Sequence, residues 1–184
     1  MLNYILIVLG YAFLGGGLKY IDQAYDENAF SKFFAKILAV LLGFIMAYLM
    51  AVDTPFSTAY LAAMIVGVFV AKKIDNFSFI IVVSGTIFFL CILSLFYFIQ
   101  LSILPFIFFS IATFLDEICD EEAHRKKFNK NLRKLLQLRP LSDITLFGLI
   151  LSGFFNWFYL IPYYAFFISY KAVEKLSLKR LHNV

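Results

Sequence analysis

The residues that could do chemistry in this chain are its carboxylates, twelve Asp and Glu in 184 residues, and their spacing is regular. Asp22 and Asp26 stand four apart, as do Asp116 and Asp120; Glu117 and Glu121 form a neighbouring pair, and His124 continues the series of Asp116 and Asp120. Positions four apart share one face of a helix. Carboxylates so placed can hold a hard cation such as Mg²⁺, which takes one or two carboxylates and completes its shell with water and substrate phosphate oxygens. Asp22, Asp26, Asp116 and Asp120 are therefore the candidate metal ligands, with Asp75 as a fifth. Lys19, Lys73 and Arg125 lie beside these acids and are the candidate contacts to a substrate phosphate. The competing reading is a solvated acidic collar: Lys19 lies three residues before Asp22 and Lys72 three before Asp75, within reach of local pairing.

Other chemistries find less support. His124 and His182 are far apart, with no Cys or second His at zinc spacing. The Ser and Thr residues of the apolar stretches have no acid or His at their own depth, so no buried nucleophile and base is expected. Gly15, Gly16 and Gly17 read as a flexible exit from the first apolar stretch, not as a phosphate-cradling loop. Cys91 lies in an apolar run and Cys119 in an acidic segment, and both read as free thiols.

The elements that must position these residues are announced by composition. The chain is 62% hydrophobic and 15% charged, with a mean hydropathy of +0.87, against roughly 45 to 50% and about 25% in an ordinary soluble domain. The excess apolar surface calls for lipid as its solvent. A secreted disulfide scaffold, a disordered chain and a coiled coil are excluded. The sixteen Lys and Arg gather at the ends of apolar runs, which signals membrane orientation and not a nucleic-acid surface.

A bilayer core about 30 Å thick takes roughly 17 to 25 helical residues per crossing. By that ruler the spans are Leu2 to Leu18, about Phe33 to Val52 and about Pro55 to Ala71. Two more come from Phe77 to Leu115, turning near Gln100 and Ser102 with Pro105 in the first turns of the fifth. The stretch from Ile144 to Tyr170 is either one helix kinked at Pro162, giving six spans, or a hairpin turning at Asn156 and Trp157, giving seven. The hairpin puts all sixteen basic residues on one side, in keeping with the positive-inside bias. The expectation is thus one all-α, polytopic integral membrane domain over residues 1–184, with seven spans, the N-terminus outside and the C-terminus cytoplasmic. The segment from Asp116 to Arg139 is expected to form a cytoplasmic amphipathic helix. It carries Glu121 with Arg125 and Glu122 with Lys126 as i,i+4 pairs, and apolar residues follow at helical spacing.

Small residues recur every fourth position in two spans: Ala35, Ala39, Gly43, Ala47 and Ala51 in the second, and Ala59, Ala63, Gly67 and Ala71 in the third. Such stripes let helix backbones approach closely. The short Asp53-Thr54-Pro55 connection suggests that the two stripes face each other in an antiparallel hairpin.

Two Asp-xxx-Asp motifs at the cytoplasmic ends of different spans resemble those of the UbiA-type intramembrane prenyltransferases. In that family such motifs hold Mg²⁺ ions that bind the diphosphate of an isoprenoid donor. The resemblance implies that Asp22 and Asp26 correspond to the end of the first motif, and Asp116 and Asp120 to the second. Three function classes follow: a metal-dependent transferase acting on a lipid or isoprenoid phosphate at the cytoplasmic face; a noncatalytic membrane subunit or assembly factor, alone or in a homo- or hetero-oligomer; and a small-solute or ion transporter. The last is weakened because no ionisable residue falls at the midplane of a span.

Overall fold

The computed structural model describes residues 4–72, 76–125 and 139–182, and every regular element among them is helical. The helices are α1 (Tyr4–Tyr25), α2 (Lys32–Val52), α3 (Pro55–Val70), α4 (Phe77–Leu93), α5 (Ile103–Arg125), α6 (Pro140–Leu151) and α7 (Leu160–His182), with a short 3-10 turn at Trp157–Tyr159 before α7. Of these, α1 and α2 are long and apolar enough to cross a membrane; α3, α4 and α6 are shorter apolar helices. The final apolar stretch is two helices and not one. Pro162 sits in the first turn of α7, where its missing N–H costs nothing, and the break falls at Ser152 to Asn156. Helix α5 runs past Leu115 to Arg125, as its i,i+4 pairs require; the rest of the expected amphipathic helix lies outside the described residues.

The chain divides into two units. The first comprises residues 1–54, 75–99 and 158–184, and the second residues 55–74 and 100–157. In the first unit α1 packs against α7 and α2, and α2 against α4. Tyr4 meets Phe158, Lys19 reaches Glu174 and Gln23 bonds Ser177, so α1 and α7 run parallel. Gly10 faces Leu49 and Gly17 faces Leu42, so α1 and α2 are antiparallel. Lys36 lies over Phe77 and Phe44 against Phe89, which makes α2 and α4 parallel. In the second unit Tyr60 stacks near Phe109 and Gly67 abuts Thr113, so α3 and α5 are parallel. Asp116 meets Ser142 while Phe109 meets Phe155, so α6 returns antiparallel to α5.

Two expectations are corrected. The small-residue stripe of α2 is buried as anticipated, but its partner is α4 and not α3: a Cβ on Gly43 would stand 3.0 Å from the Val82 carbonyl oxygen and 3.1 Å from the Thr86 nitrogen. The stripe of α3 likewise serves α5, where Gly67 lies against Thr113. The reason is complementarity of shape. The buried face of α4 is Ser78, Val82 and Thr86 with Gly85 beside it, small enough for backbone contact. The two-residue link after α2 is also held, because Tyr159 donates to Asp53 (3.0 Å) and accepts from Thr54 (2.5 Å).

The second correction concerns Gly15, Gly16 and Gly17, which lie inside α1 and do not end it. A Cβ on Gly15 would fall 2.1 Å from the Phe166 carbonyl oxygen, and one on Gly17 would fall 2.6 Å from Leu42. Gly15 and Gly17 are there for close packing against α7 and α2, and the helix continues for two more turns.

Candidate functional site

The sharpest polar construction in the described residues is built around Asp116. Helix α6 begins at Pro140, and the residue before it, Arg139, is in the left-handed region (φ 56°) with a side chain that can only donate. The first N–H groups of a helix have no partner within it and normally take a Ser, Thr, Asp or Asn acceptor from the N-cap. Here the acceptor comes from another helix. Asp116, fully buried on α5, takes the Leu141 N–H at 3.1 Å on Oδ1; its Oδ2 takes the Ser142 N–H at 2.8 Å and the Ser142 hydroxyl at 2.6 Å. Its negative charge lies at the positive end of the α6 dipole. Glu117, the next residue, is buried and paired with Arg139. Two consecutive carboxylates thus clamp the start of α6 to α5.

A second polar line joins α1 to α7. Lys19, nearly buried, bonds Asp22 at 2.5 Å, reaches Glu174 at 3.8 Å and lies 5.0 Å from the centre of the Tyr170 ring. Glu174 also takes Lys171 at 2.8 Å. One turn further along, the Ser177 hydroxyl donates to Gln23 at 2.6 Å, and Ser78 of α4 donates to Tyr25 at 3.0 Å. Charge is matched within this line, two lysines to two carboxylates.

The residues singled out in the sequence are distributed as follows. Asp22 sits in the last turns of α1 beside Lys19; Asp26 lies just beyond the helix, its N–H bonded to the Asp22 carbonyl at 2.9 Å. Both belong to the first unit. Asp116 and Asp120 belong to α5 in the second. Lys73 and Asp75, and the side chains of His124 and Arg125, lie outside the described residues. Among the described residues no three His, Cys, Asp or Glu side chains gather as a metal site would require. Cys91 and Cys119 are free thiols, as read.

The clamp partners Ser142 and Arg139 were not singled out from the sequence, and Glu117 was read only as a neighbouring pair with Glu121, although a signal exists. A helix that starts at proline after an arginine lacks an N-cap acceptor of its own, so an acceptor from elsewhere in the fold is worth seeking. Comparison with known proteins returns no family model, no characterised protein and no solved structure that matches the chain.

Proposed function

We propose that the chain is a polytopic membrane protein of seven crossings that acts as a noncatalytic helical subunit, its N-terminus outside and its C-terminus cytoplasmic. Helix directions support the crossings. With α1, α3, α5 and α7 descending and α2, α4 and α6 ascending, every packing direction found within each unit is the one required. The apolar outer faces agree. Ile5, Leu9 and Phe13 of α1 are 65%, 59% and 42% exposed, and α5 shows Leu104, Phe108, Ile111 and Leu115 at helical spacing. Stripes of this size on a soluble surface would drive association, whereas lipid satisfies them.

The observation that carries the noncatalytic role is the engagement of Asp116. A metal ligand must offer lone pairs to the ion, and this carboxylate already accepts three hydrogen bonds and caps a helix. Asp22 is paired with Lys19, one turn before it on the same helix. Asp116 fastens α6 to α5 and Lys19 links α1 to Glu174 of α7, which is what a scaffold subunit needs.

The deciding experiment is thermal unfolding of the purified full chain in lipid nanodiscs with and without Mg²⁺ or Mn²⁺. A noncatalytic subunit keeps the same midpoint. A saturable stabilisation, about 2.7 kcal/mol at 100 times the dissociation constant, that disappears in Asp22→Asn or Asp120→Asn would establish a divalent-metal site instead and favour the metal-dependent enzyme acting on a lipid or isoprenoid phosphate.

A further inference from the structure

Beside the glycines of α1 lies an open apolar groove of about 280 Å³, walled by Phe13, Gly16 and Tyr20 of α1, Leu38 of α2 and Val173 of α7. Its depth comes from a missing side chain. A Cβ on Gly16 would make only ordinary contact, 3.5 Å from Val173 and 3.7 Å from Ser169, so the space above it is empty and not closed by a neighbour. The end of the groove at Tyr20 is not apolar. Phe30 stacks on Tyr20 with ring centres 4.4 Å apart, and the Arg180 guanidinium lies 5.1 Å from the centre of the Phe30 ring. Arg180 is exposed and follows Val173 by seven residues, two helical turns, so it lies on the same face of α7 about 10 Å beyond the groove wall. A guanidinium held on a ring face still presents its N–H fork to an anion.

We propose that this groove binds one acyl chain of an anionic glycerophospholipid, with the lipid phosphate on Arg180. The argument for that occupant is the order of chemistry along the surface. An apolar groove is followed by the aromatic step of Tyr20 and Phe30 and then by the Arg180 guanidinium, which is the order of tail, glycerol and phosphate in such a lipid. Lys19 and Lys171 are matched by Asp22 and Glu174; Arg180, at the Tyr20 end of the groove with Lys175 and Lys179 on the same stretch of α7, supplies the charge that favours an anionic over a zwitterionic headgroup. The inference rests on the membrane reading proposed above and adds a lipid specificity to it.

The test uses the full chain in nanodiscs of phosphatidylcholine alone and of phosphatidylcholine containing phosphatidylglycerol, reading the unfolding midpoint and the lipid retained in native mass spectrometry. The expected result is retained phosphatidylglycerol and a higher midpoint in its presence. Both should be lost in Arg180→Gln, and also in Gly16→Leu, whose side chain fills the groove. If Gly16→Leu does not fold in phosphatidylcholine, Val173→Phe fills the same space from the opposite wall. Equal behaviour in the two lipid mixtures, loss in Arg180→Gln without loss in either groove-filling variant, or a dimer that those variants dissociate would each overturn the proposal. Alkaline carbonate extraction of cell membranes keeps the two readings apart. A chain released by carbonate defeats the membrane reading itself, whereas a chain that stays in the bilayer but ignores phosphatidylglycerol defeats only the lipid site.

Discussion

Asp116 shows how one residue can look catalytic in a sequence and be structural in the fold. Its spacing to Asp120 is that of a metal motif, yet its oxygens close the open end of α6. Replacing it by Ala leaves the part-buried Leu141 and the buried Ser142 N–H groups without this acceptor, at up to about 1 to 3 kcal/mol each. Asp116→Ala should therefore lower stability by about 2 to 6 kcal/mol in denaturant titration, while Asp116→Asn, which keeps one acceptor oxygen, should lose less. An equal loss in the two variants would remove the cap as the reason for the acid. The glycine triplet allows a second residue-level comparison. Gly15→Ala drives a Cβ into the Phe166 carbonyl, whereas Gly16→Ala meets only loose neighbours. The first should cost about 1 to 3 kcal/mol or more, and the second should be neutral or stabilising by roughly 0.5 to 1 kcal/mol through helix propensity. Melting both variants in the same detergent checks the sign of each.

At the scale of elements, the two small-residue stripes are met by helices two apart in sequence, α2 by α4 and α3 by α5. Gly43 and Gly85 face each other, and a Cβ on Gly85 would lie 3.8 Å from the Gly43 Cα. Gly43→Leu should thus separate α2 from α4 at a cost of about 1 to 3 kcal/mol or more, and Gly85→Ala should be tolerated. Cysteines placed at 43 and 85 in a background lacking Cys91 and Cys119 should form a disulfide on mild oxidation. Failure to cross-link, or equal tolerance of Leu at Gly43 and at exposed Phe44, would argue against this pairing. The stripes themselves were readable because period-four small residues have one physical use. Their partners were not, because a stripe specifies how near a neighbour can come and says nothing of which neighbour has a matching face.

At the scale of the whole molecule, parallel α1 and α7 place the two chain termini on opposite sides of any membrane that both helices cross. A cysteine at Asn183 should then be shielded from an impermeant reagent applied to intact cells, and one at exposed Phe96 should be modified. Labelling at Asn183 from outside would reduce the count to six crossings. The helical class, the division into apolar stretches and the break before α7 were determined by composition, by stretch length against bilayer thickness and by the cost of buried charge, all local or additive quantities. The continuation of α1 through three glycines was decided by tertiary structure, because a glycine reads as a helix stop until the backbone pressed against it is known. The same holds for the role of the acids. A carboxylate motif records only spacing along one helix, whereas the choice among metal, lysine and the N–H groups of α6 is made by whichever partner the fold brings to within 3 Å of Asp116, and that partner lies 26 residues away at Ser142.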